Sequence, residues 1–223
     1  MRQLPDQRAT AYLLPGCLLG ALLCSFALSA HVPPSWAREN GVLENAGVAV
    51  LAVGLIIALI RTNMTDFHRT GLLARAMIPV WLVLIGRELS WGAVLMGPYA
   101  FDNGLPLYSS RDLWYKPAIM PAALIALACS GLTVYRYMLE EPCRQAIVHN
   151  RALMLTLLIC IGAASVASYA EGHVGHWRPF NISRGMAWEE FAELIAYFAL
   201  VYAQVMALQT APLAYRVVDA QAK

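Results

Sequence analysis

The chain has 223 residues, 59% of them hydrophobic and 13% charged, with a formal net charge of +2. A soluble domain carries about 25% charged residues, so 16 basic and 14 acidic side chains argue against a water-soluble helical core of this size. Where the charges lie is more telling than their sum.

Six apolar stretches follow one another at about 9–30, 43–60, 72–97, 117–136, 152–170 and 187–213. A helix needs about 20 residues to cross a ~30 Å hydrocarbon core, and each stretch meets or approaches that length. The expected fold is therefore all-α, a polytopic transmembrane helix bundle of six spans forming a single domain over 1–223.

The first stretch, "LLPGCLLGALLCSFALSA", ends in small residues as a cleavable signal does. Leu28, however, stands three residues before the supposed cut after Ala30, and further spans follow. It reads as a retained helix. The second opens behind "ARENGVLENAG", where Glu39 and Glu44 bracket its start. The third contains "LIGRELSWGAVL", which sets Arg87 and Glu88 inside an apolar run. Glu88 is expected about 6 Å outward from the middle of that run, sharing a helical face with Leu84, Trp91 and Gly92, while Arg87 is rotated by about 100°.

The connection that follows, "PYAFDNGLPLYSSRDLWYKP", is aromatic. Tyr99, Phe101, Tyr108, Trp114 and Tyr115, with Trp177 and Trp188 later, suit the membrane interface, where an aromatic body and a polar tip meet different media. Pro117 and Pro121 fit the start of the fourth span, where missing amide donors cost least. The fourth connection, "LEEPCRQAIVHNR", is short and polar. Small residues from Gly162 to Ser168 give the fifth span a surface for close helix contact. That span leaves through "YAEGHVGH", with Glu171, His173 and His176, and the sixth opens with "WEEFAEL", bearing Glu189, Glu190 and Glu193. Glu190 and Glu193 share a helical face that continues through Tyr197, Leu200 and Gln204.

Ten basic residues fall in the N-terminal segment, the second and fourth connections with their edges, and the tail; five fall in the other connections. The positive-inside bias then places both termini in the cytoplasm, and the acids gather on the outer side. The five cysteines form no close pair, four lying within spans, so they read as small apolar groups with no disulfide framework. No P-loop, dinucleotide fingerprint or extended basic patch is present, which leaves nucleotide-driven transport and nucleic-acid binding without support.

An ionisable side chain within a span is expensive and marks a functional site by default. The residues so marked are Glu39, Glu44, Arg87, Glu88, Trp91, Glu190, Glu193, Tyr197 and Gln204, expected to form an outward-facing acidic pocket for a cation, a proton or a polar head group. The competing reading is a buried pair of Glu88 with Arg87 or Arg184 that fixes helix packing, since breaking such a pair destabilises but making one need not stabilise. Close histidines with carboxylates also suit a divalent metal. His173, His176, Glu171, Glu44 and Glu88 are the candidate ligands, with His31 able to complete the set.

"ARENGVLE", "GRELSWG" and "WEEFAEL" resemble motifs of a family of uncharacterised multi-spanning bacterial inner-membrane proteins. The first resembles R-E-D-G-x-x-E and the second E-E-I-S-W-G-Q. Glu39, Glu44, Glu88, Ser90, Trp91 and Glu190 carry the match. Asn40 stands where the family tends to have Asp, Arg87 in place of the first Glu, and Ala93 in place of Gln. The resemblance implies a multi-pass protein of the bacterial inner membrane and no particular activity.

Three functions compete. One is a membrane-embedded binding or transport protein using the acidic pocket. Another is a metal-dependent enzyme acting on a lipid or lipid-linked substrate at the outer interface, with Glu88, Glu190 or Glu193 as general base. The last is an accessory or assembly subunit of a membrane complex. Membrane lipids are the expected partners in each, with a homo-oligomer or a complex partner as further expectations.

Overall fold

A computed structural model of the protein describes residues 5–64, 68–102, 105–172 and 182–221. Among these, the helices are α1 (Pro5–Ser29), α2 (Val42–Met64), α3 (His68–Glu88), α4 (Ala93–Met96), α5 (Lys116–Arg136), α6 (Glu140–His149), α7 (Arg151–Glu171) and α8 (Ile182–Gln221). One short antiparallel pair, β1 (Ala100–Asp102) and β2 (Leu105–Leu107), sets Ala100 opposite Leu107 and Phe101 opposite Pro106.

Six helices hold stretches long and apolar enough to cross a membrane: Ala11–Ser29, Val42–Asn63, Thr70–Glu88, Lys116–Arg136, Arg151–Glu171 and Arg184–Thr210. Leu23, Ile56, Leu82, Leu124, Ile125 and Ile161 on these helices are exposed. A water-soluble protein buries most side chains of this kind. The all-α class and the six apolar helices expected from hydropathy are thus both present.

The chain divides into two compact units. The first comprises Met1–Gly47 and Ile147–Gln204. Its core joins Leu18 of α1, Ile159 and Ala163 of α7, and Ile195, Ala196 and Ala199 of α8. The alanines let the backbones approach, as small residues do between helices in lipid, and the Cys160 thiol reaches the Ala196 carbonyl at 3.4 Å. Helix α7 starts at Asn150, whose side chain accepts from the Leu153 amide at 3.1 Å. It ends at Gly172, whose positive φ turns the chain out of the helix.

The second unit comprises Val48–Ala146 and Val205–Lys223. The Ser130 hydroxyl of α5 donates to the Ala76 carbonyl of α3. Trp81 of α3 is fully buried, its indole lying so close to Gly54 of α2 that a Cβ there would stand 2.7 Å from the ring. A separate cluster gathers Leu72, Leu73, Ala74, Leu139 and Leu208, with Cys143 of α6 packed against it.

Helix α6 was not expected from the sequence, which reads as a polar connection. Burial, and then the nearby Glu140 carboxylate, raise the Cys143 thiol above its ordinary range. An unperturbed thiol titrates near 8.5, so alkylation of Cys143 is expected to stay slow at neutral pH and to rise only at higher pH than for a free thiol. Mass spectrometry of the Cys143 peptide after timed alkylation across pH checks this, and a rate matching a free thiol at neutral pH would contradict it.

The third span departs from the expected 72–97, because α3 ends at Glu88. Ser90 and Trp91 both take positive φ, 45° and 57°, and Gly92 follows at 93°. Left-handed backbone costs a residue with a side chain roughly 1–2 kcal/mol, so tertiary contacts must hold this turn. The Trp91 indole folds back over the α3 backbone at Gly86, and the Tyr115 hydroxyl donates to the Trp91 carbonyl at 2.7 Å. The chain then continues into α4 in a new direction.

Candidate acidic site

In the first unit, the loop before α2 builds the first part of the site. Asn40 has a positive φ of 57°. The Glu44 carboxylate, on the first turn of α2, accepts from the Asn40 amide. This resembles a capping box, in which a glutamate three residues into a helix reaches back to an amide that the helix leaves without a partner. The Asn45 amide group tightens the loop, donating to the Gly41 carbonyl at 2.8 Å and the Asn40 carbonyl at 3.0 Å. Glu44 is buried, whereas Glu39 is exposed. The loop is seated on α8 through Ala37, Leu43 and Ala187, with Met186, Phe191 and Leu194 packed around them. The first turn of α2 is thereby held against the first turns of α8.

Helix α8 carries the expected stripe. Glu190 is half-buried, and Glu193, Tyr197 and Gln204 are buried. The Tyr197 hydroxyl donates to the Glu193 carboxylate at 3.3 Å, one helical turn away. A cluster missed from the sequence fixes the start of this helix. Trp188 donates its indole N–H to the Ser25 hydroxyl at 3.0 Å and meets Phe26 and Tyr169 edge-on. Arg184 lays its guanidinium over the Phe26 ring at 4.0 Å and donates to the Phe26 carbonyl. That carbonyl lies in the last turn of α1, where a cation also meets the negative end of the helix dipole. No sequence signal points to these contacts, because Ser25 and Trp188 lie far apart along the chain.

In the second unit, Glu88 is the last residue of α3, with its side chain 4% exposed. Arg87 approaches it at 3.7 Å from a side chain 49% exposed, so one partner is enclosed and the other reaches the surface. Trp91 is half-buried and does not continue the face of Glu88, as an unbroken helix would require; the left-handed turn sends it onto Gly86 instead.

Of the candidate metal ligands, Glu171 is exposed at the end of α7 and His31 is exposed beyond α1. His173 and His176 lie outside the described residues. The structure thus encloses Glu44, Glu88, Glu193 and Gln204, leaves Glu190 partly accessible, and leaves Glu39 and Glu171 at the surface. The segments Ala37–Glu44 and Gly86–Gly92 hold left-handed turns beside Glu44 and Glu88. Comparison with protein-family models, curated proteins and solved structures finds no match to this chain.

Proposed function

We propose that this multi-pass membrane protein uses an acidic intramembrane site, built on Glu88, Glu190 and Glu193 with Tyr197 and Gln204, to bind a cation, a proton or the polar head group of a lipid. The observation that carries this reading is enclosure. Glu88 and Glu193 are only 6% and 9% exposed on helices whose other faces are strongly apolar. Arg87 and Tyr197 offset part of the cost of enclosing these carboxylates, and in a span such groups mark ion, proton or substrate sites.

Topology supports a common location. If each of the six helices crosses once, the end of α3, the start of α2 and the start of α8 share one side of the membrane. The positive-inside bias makes that the outer side. Glu193 lies nine residues into the apolar stretch that starts at Arg184, about 14 Å at 1.5 Å per residue. Along α8, Glu190 and Glu193 lie toward the start of the stripe and Gln204 about three turns further on. Tyr197 positions the Glu193 carboxylate by its hydrogen bond.

The test is purification in mild detergent without chelator, followed by elemental analysis for metals and mass spectrometry for retained lipid. Wild type is compared with Glu88→Gln and Glu193→Gln. Each variant keeps the shape of its side chain and removes the charge, so the expected result is loss of the bound species from a folded protein. Near-stoichiometric metal lost in both variants assigns the site to a cation; an amine-bearing lipid lost in both assigns it to a head group. Variants that keep the cargo and the thermal stability of wild type would overturn the acidic-site reading.

A further inference from the structure

The segment joining α3 to α5 presents a row of large apolar side chains outward. Leu95 is 81% exposed, Met96 63%, Tyr99 59%, Phe101 68% and Trp114 86%. The segment is nevertheless anchored. Its inner residues Ala93 and Leu113 pack with Ile119 of α5, joined by Trp91 and Tyr115, and the hydrogen bond from Tyr115 to Trp91 ties its two ends together. The outward row is therefore held on a folded platform, and its exposure is not the result of a loose chain.

An apolar patch of this kind marks either a protein contact or a membrane contact. Continuity decides between them. The segment starts and ends on the termini of two helices apolar enough to span, and those helices themselves expose Leu82 on α3 and Met120, Leu124 and Ile125 on α5. Tyrosine and tryptophan favour the head-group level, and the exposed Arg111 and Lys116 on the same segment provide cations for lipid phosphates.

We propose that α4, the β1–β2 pair and Trp114 seat in the head-group and upper acyl region of the leaflet at the C-terminal end of α3. The left-handed turn at Ser90–Gly92 is the device that lays the chain along the membrane surface at this point. Seating there fixes the outer end of α3, which Glu88 closes, in that leaflet. This inference stands on the apolar row alone and does not depend on what the acidic site binds.

Tryptophan fluorescence in reconstituted bilayers tests it. Subtracting the emission of Trp114→Phe from that of wild type isolates Trp114, and Phe101→Trp adds a second reporter on the hairpin; both positions are exposed, so neither change disturbs a core. Both signals are expected to be quenched by lipids brominated near the top of the acyl chain and to be insensitive to aqueous iodide. Iodide quenching at either position, with no response to brominated lipid, would overturn the proposal and place the row in water.

Discussion

Replacing Trp81 with alanine is expected to cost about 3–5 kcal/mol, the range for deleting a large aromatic side chain from a packed interior. The indole is fully buried and lies against Gly54, where a Cβ would stand 2.7 Å from Cζ2. Lost packing is a large part of this, since in lipid the attraction between helices comes from close contact and not from escape from water. The same geometry predicts the reciprocal result: Gly54→Val should also destabilise, by overlapping the ring, yet should be much less harmful in the Trp81→Ala background. Contacting residues couple in this way, whereas distant ones add. Unfolding by a denaturing detergent, followed by circular dichroism for the two single variants and the double, reads the cycle. Strict additivity would show that the two helices do not meet through this pair.

Gly41→Ala is expected to be the next most damaging change, costing about 3 kcal/mol, the upper end of what overpacking costs. A Cβ at Gly41 would lie 2.4 Å from the Arg38 carbonyl oxygen and 2.6 Å from that of Trp36. Both are backbone atoms, so no rotamer change relieves the overlap and the loop itself must open. Opening it releases the Asn40 amide from Glu44 and the Asn45 side chain from Gly41. It also lifts Ala37 and Leu43 off Ala187. The variant should therefore lose both thermal stability and any cargo held by the acidic site, whereas Glu88→Gln should lose the cargo alone. Thermal melting together with the elemental and lipid measurements separates the two patterns, and an unshifted melt for Gly41→Ala would contradict the loop geometry.

Some of these local contacts are legible in the sequence and others are not. The "GVLE" stretch after Asn40 carries a local signal, a glutamate three residues past a glycine at a helix start, and the capping contact of Glu44 follows it. "FDNGLPL" likewise contains Asn-Gly between apolar residues, the strongest short-range hairpin signal, and β1 and β2 flank it. The end of α3 was hidden for a physical reason. "ELSWGAVL" is apolar on both sides of the turn, so hydropathy runs on to residue 97 while the backbone stops at Glu88. Trp91 was placed on the face of Glu88 by helical spacing, which fails once Ser90 and Trp91 leave the helical region. The link from Trp188 to Ser25 and the cation of Arg184 over Phe26 join distant parts of the chain, and no local pattern encodes them.

By itself, then, the sequence determined the helical membrane class, the number and order of the apolar helices, and the concentration of acids near the ends of four of them. Partition between water and lipid is nearly a sum over neighbouring residues, so composition along the chain is enough to decide it. The tertiary structure alone decided which acids are enclosed, separating Glu44, Glu88 and Glu193 from the exposed Glu39 and Glu171. It also decided that Glu88 ends its helix at a left-handed turn. Burial depends on which face meets a neighbour, and a strained turn persists only where remote contacts such as that of Tyr115 with Trp91 hold it.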